Sequence, residues 1–258
     1  MDSWIFHFLI FFIGAAVGSF LNVCIYRLPQ ELSVVAPRSF CPACKSPIRA
    51  YDNIPIISFL LLGGKCRNCQ APISWRYPLI EALTGFIALA LFMKTGLTLS
   101  YFCYFIFAAA LVVITFIDLD HRIIPDVISL PGIVIGFLLS LTGVTLRIPD
   151  SLIGIVVGGG SLYVVAVVYE KVTKREGMGG GDVKLLAMIG AWLGWKAVLF
   201  TLFFASLTGS IIGGAIMMAR KEDSKLAIPF GPFLAFSALA YIFIGPQLIQ
   251  WYLNLSGF

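Results

Sequence analysis

Charge is what this sequence has least of. Only 12% of its 258 residues are Asp, Glu, Lys or Arg, and thirteen are acidic, while 59% are apolar. A soluble domain carries about a quarter charged residues, so the solvent of most of this chain is lipid. Histidine is almost absent as well, with His7 and His121 alone, and no H-E-x-x-H pair occurs to hold a catalytic zinc. No G-x-S-x-G elbow presents a nucleophilic serine, and no glycine-rich Rossmann fingerprint follows a strand. The formal charge of +5 is spread singly between apolar runs. Without a basic face and interleaved aromatics, it does not make a nucleic-acid site.

What is abundant is long apolar sequence. A spanning helix needs about twenty such residues. The candidate spans are Trp4–Val23, Leu79–Met93, Tyr101–Ile117, Val127–Leu141, Leu152–Tyr169, Val183–Leu193, Ala197–Met218 and Phe230–Leu253. The expected fold is therefore an all-α polytopic membrane protein with about eight transmembrane helices, the sixth being short for a crossing. Met1 to Trp4 lacks a basic n-region and no small-residue cleavage site follows, so the first run is expected to stay as a helix. With the N-terminus outside, fifteen of the eighteen Lys and Arg fall on one side, leaving Lys94, Arg147 and Lys196 on the other. The positive-inside rule then puts both termini outside, in the periplasm of a Gram-negative cell, and residues 24–78 in the cytoplasm.

That loop carries Cys41-Pro-Ala-Cys44 and Cys66-Arg-Asn-Cys69, two C-x2-C turns separated by twenty-one residues. Each turn puts two sulfurs on one side of a tight loop, and two turns complete a tetrahedron. A pair of disulfides competes with zinc, but a reducing cytoplasm disfavours it. Four cysteine ligands leave no open position, so the metal is structural and organises a loop with too few apolar residues for its own core. Cys24 and Cys103, at span ends, read as small buried hydrophobes.

Acids near a bilayer need individual reasons. Asp118, Asp120 and Asp126 fall in the turn Asp118-Leu-Asp-His-Arg-Ile-Ile-Pro-Asp126 after the third span, and Asp182 follows a glycine run and opens the sixth. The topology brings both groups to one face, as a proton-sharing carboxylate pair requires. A plain reading makes Asp182 a helix N-cap and the other acids a solvated turn bent by Pro125. The glycines Gly177, Gly179, Gly180 and Gly181 favour the first reading, because they suit a place where another backbone approaches closely. Glu81, at the start of the second span, is explained equally by the helix dipole or by a role in a site.

These residues resemble the bacterial type IV prepilin peptidases, which also serve type II secretion. Gly179-Gly180-Gly181-Asp182 matches the family's G-x-G-D motif, and the Asp118–Asp126 turn is similar to its other catalytic segment. Gly18-Ser-Phe-Leu-Asn-Val-Cys-Ile-Tyr-Arg-Leu-Pro29, Asp52-Asn-Ile-Pro-Ile-Ile-Ser58 and Ser74-Trp-Arg-Tyr-Pro-Leu-Ile-Glu81 are similar to it too, so the likeness covers nearly the whole chain. It implies an aspartic protease that cleaves the basic leader of prepilins or pseudopilins at the cytoplasmic face of the inner membrane. Its catalytic pair falls on Asp118 and Asp182, with Asp120 and Asp126 as neighbours. The four cysteines match the bifunctional members, which methylate the new N-terminus, usually a phenylalanine, from S-adenosylmethionine. That division suggests a first helix (1–23), a zinc-binding loop associated with methylation (24–78) and a membrane protease region (79–258). The residues that hold the methyl donor are not readable.

Three other readings stay open at this level: a peptidase without methyl transfer, a proton-coupled transporter with relay carboxylates, and a zinc loop that only docks partners. The transporter predicts repeated halves and midplane acids, which the sequence does not show. Within the dyad, the helix start at Asp182 favours Asp182 as the charged member and Asp118 as the proton carrier.

Overall fold

The computed structural model describes residues 3–174, 179–220 and 229–255. Among them the chain forms nine α-helices: α1 Ser3–Arg27, α2 Ile57–Leu61, α3 Arg76–Thr95, α4 Leu99–His121, α5 Asp126–Leu141, α6 Ile148–Thr173, α7 Gly180–Leu193, α8 Trp195–Arg220 and α9 Gly231–Leu255. Each of the eight apolar runs lies inside one helix, save Phe230, which just precedes α9, and α2 is a short extra turn. Six helices, α1, α3, α4, α6, α8 and α9, are long and apolar enough to cross a membrane. The eight expected spans are thus six helices of crossing length plus the shorter α5 and α7. At 1.5 Å per residue, the 14 residues of α7 reach about 21 Å, short of a hydrocarbon core of about 30 Å.

The chain divides into two compact units, residues 1–113 and 114–258, with the boundary inside α4. In the first unit α1 packs along α3. Small residues permit the approach: a Cβ on Gly18 would come within 2.8 Å of the Glu81 Cα. Asn22 fastens the same crossing, its Nδ2 donating to the Gly18 and Tyr77 carbonyls at 3.3 and 3.2 Å. The segment between these helices holds α2 and the four cysteines.

In the second unit α7 packs against α5, α6, α8 and α9. Every residue from Leu185 to Trp192 is buried. A helix apolar on all sides is stable when other helices surround it, and such a helix does not have to match the bilayer thickness. Two polar links tie it down. Ser151 Oγ donates to the Ala191 carbonyl at 2.9 Å and Trp192 Nε1 to the Gly132 carbonyl at 2.8 Å. These bonds hold α7 to α6 and α5, and so fix where its first turn, bearing Asp182, sits.

Candidate functional sites

Asp118 does not sit in a turn. Helix α4 runs on to His121, which places Asp118 in its last turn with only 5% of its surface exposed. Arg122, left-handed at φ 56°, ends the helix with its N–H on the Asp118 carbonyl at 2.9 Å. The Asp118 carboxylate has a partner far away in sequence: the N–H of Gly231, first residue of α9, donates to Oδ2 at 3.0 Å. A Cβ at Gly231 would lie 2.6 Å from that oxygen, so glycine is what lets the backbone come close enough to donate.

Asp182 is the third residue of α7, and Gly179 is the N-cap, with no side-chain capping bond. The plain N-cap reading is therefore corrected: Asp182 is half-buried and its carboxyl is raised to about 7, by burial first and by the Asp118 charge second. The two acids thus feel one another, although one closes a helix and the other opens one. The backbone approach expected of the glycines is not what the structure has: the close neighbour is a side chain, Ile124, which a Cβ on Gly181 would meet at 2.9 Å. Gly180 has open space around it, and Gly177 lies outside the described residues.

The neighbouring acids do other things. Asp120 is exposed. Asp126 opens α5 and pairs with Lys184 of α7, bracing the two helix starts beside Asp118 and Asp182. The end of α4 and the starts of α5, α7 and α9 thus meet in one place. No local signal marks Gly231 as part of it.

In the first unit the four cysteine sulfurs all lie within 4.8 Å of one another, with Cys41 and Cys69 at 3.8 Å. Sulfurs at about 2.3 Å from a tetrahedral zinc would stand about 3.8 Å apart, so the donor set has the chemistry and the spacing of a metal site. The two turns repeat each other. Cys41 N–H donates to Ser46 and Lys45 N–H to Cys41, as Cys66 N–H donates to Ala71 and Gln70 N–H to Cys66. Lys45 and Gln70 are both left-handed, and single bridges Phe40–Pro47 and Lys65–Pro72 close the two loops. The pattern x-C-x-x-C-x-x-P-I, present at 40–48 and again at 65–73, could have revealed this repeat. Cys24 and Cys103 are buried away from this cluster.

Above the α1–α3 crossing, the same unit encloses a cavity of about 630 Å³, lined by both knuckles and by Asn22, Tyr26, Tyr77 and Glu81. Glu81 is 8% exposed, and its Oε2 accepts the Ile56 N–H at 2.7 Å.

Comparison with known proteins agrees with this division. The Bacterial Peptidase A24 N-terminal domain matches residues 12–95 and the Type IV leader peptidase family residues 105–214. A prepilin leader peptidase/N-methyltransferase of Aeromonas hydrophila is 38% identical over 97% of this chain and 95% of its own length. Proteins of the same name from Pseudomonas aeruginosa and Legionella pneumophila are 37% and 34% identical, over 95% and 97% of the chain and 93% and 96% of theirs. No solved structure matches.

Proposed function

Because the chain belongs to the type IV leader peptidase family, we propose that it cleaves the leader from a prepilin or pseudopilin and then methylates the new amino terminus. The observation that carries the first half is the meeting of Asp118 with Asp182. Two acids this close cannot easily both ionise, so they hold one proton between them. The proton belongs on Asp182. The Gly231 N–H at the start of α9 is aimed at the Asp118 carboxylate and positions it as the base, whereas burial and the Asp118 charge favour the acid form of Asp182. This reverses the order that the helix start alone suggested.

Asp118 then takes a proton from water as the water attacks the scissile carbonyl, and Asp182 donates to the carbonyl oxygen. As the tetrahedral intermediate collapses, the proton on Asp118 passes to the departing amine. Asp126 and Lys184 hold α5 and α7 in register beneath this exchange. The cluster of helix ends supports one cytoplasmic active face on an inner-membrane protein with periplasmic termini, since the basic loops share that side.

The four-cysteine site is read as a structural zinc centre. It orders the segment roofing the first unit's cavity and takes no part in peptide cleavage. The deciding experiment incubates purified protein with a prepilin and S-adenosylmethionine. Shortening of the substrate, followed by a mass gain of one methyl at its new N-terminus, is the expected result. An intact substrate would overturn the peptidase reading, and shortening without methylation would leave a peptidase alone.

A further inference from the structure

Glu81 has lost the bland explanation that the sequence left open. It is the sixth residue of α3, and the first turn of that helix contains no acid. Dipole stabilisation fades within one turn, so it does not account for a carboxylate here. The groups bonded to it, the Ile56 N–H and the Ser19 hydroxyl, are neutral. Burying a carboxylate without a cation is costly, and such groups mark functional sites in membrane proteins.

The backbone is strained in order to hold it. Ile56 adopts φ 62° and ψ −50°, a conformation that a β-branched side chain strongly disfavours. Strain of this kind persists only where surrounding structure enforces it, and here its result is a hydrogen bond aimed at Glu81.

Glu81 faces a cavity of about 630 Å³, within the range of sites that enclose a small organic ligand. Tyr26 and Tyr77 line it beside Glu81, so aromatic side chains and a proton acceptor share one wall. Methyl transfer to an amino terminus needs these features. The α-amine is largely an ammonium at neutral pH, with a pKa of about 8, and must lose a proton before it can attack.

We infer that this cavity is the site of methyl transfer, taking the methyl donor against Tyr26 and Tyr77, and that Glu81 accepts the proton of the incoming peptide ammonium. The inference rests on the methyltransferase reading above. S-adenosylmethionine supplies a methyl group on a positively charged sulfur. The peptide ammonium gives its proton to the Glu81 carboxylate. The freed nitrogen lone pair forms the new C–N bond as the C–S bond breaks, and that electron pair stays on sulfur as a neutral thioether. The methylated amine carries the positive charge away, and Glu81 returns its proton to water.

The test uses full-length protein in detergent, with S-adenosylhomocysteine as the calorimetric probe and prepilin cleavage as the check on folding. Val23→Trp fills the cavity from α1. It should weaken probe binding by about tenfold or more while cleavage continues. Glu81→Gln keeps the shape but cannot take the proton. It should bind the probe within about threefold of the parent and lower kcat for methylation about a hundredfold, leaving the donor KM nearly unchanged. Parental probe affinity in Val23→Trp would overturn the cavity, and parental methylation in Glu81→Gln would overturn the base. A parent protein that cleaves but neither binds the probe nor methylates would overturn the methyltransferase reading itself.

Discussion

The N–H of Gly231 donates to Oδ2 of Asp118 at 3.0 Å, joining the first residue of α9 to the last turn of α4. We propose that this bond positions the Asp118 carboxylate as the base of the pair. Gly231→Ala would put a methyl group 2.6 Å from the same oxygen and force the carboxylate aside. Cleavage should fall by about a hundredfold, the usual effect of a displacement near 1 Å in a reacting group. Unchanged turnover would show that the Gly231 contact has no part in positioning Asp118.

Asparagine at Asp118 or Asp182 preserves shape and removes the exchangeable proton. Each single variant should lose about 10²–10⁴-fold in cleavage, and the double variant little more, because the two act as one unit. Asp120→Asn and Asp126→Asn should be milder, the second through loss of the Lys184 pair. The readout is the fraction of prepilin shortened by each purified protein. Full processing by Asp118→Asn with loss in Asp120→Asn would move the catalytic assignment by two residues.

Cleavage should depend on pH through Asp182. Its carboxyl is raised to about 7, so the proton it donates is present below that value and lost above it. The rate should therefore decline as pH rises through about 7, and Asp182→Asn should abolish activity at every pH. A profile flat from pH 6 to 9 in the parent protein would contradict Asp182 as the acid.

Freshly purified, reduced protein should contain about one zinc per chain, and Cys41→Ser or Cys66→Ser should lower that content. Loss of the metal loosens the roof of the first unit's cavity, so these variants should lose methylation more than cleavage. Parallel assays of both activities with metal analysis settle the point: equal loss in a folded variant would contradict two separate sites.

The amino-acid order determined a good deal by itself. Eight apolar runs became eight helices, because apolar side chains and internally bonded backbone leave few alternatives in lipid. Each C-x2-C turn set its own two sulfurs side by side, because knuckle geometry is local, and the spacing anticipated that the two turns would meet. Asp118 and Asp182 stood out as candidates because acids are scarce in such a chain and need reasons.

Contacts distant in sequence belonged to the tertiary structure alone. Gly231 lies 113 residues from Asp118 and carries no side chain to announce a role, so only the packing of α9 showed that its N–H reaches the Asp118 carboxylate. The shortness of α7 was readable, but its meaning was not, since a helix enclosed by four others is free of the bilayer's length requirement. Glu81 read equally as a helix-start acid or as part of a site until α3 was seen to begin at Arg76 and a strained Ile56 was found pointing its N–H at the carboxylate. Sequence period and composition fix which residues form helices and which chemistry is available. The depth of a buried acid and the identity of its hydrogen-bond donor depend on which backbones pack together, and that is settled only when the whole chain has folded.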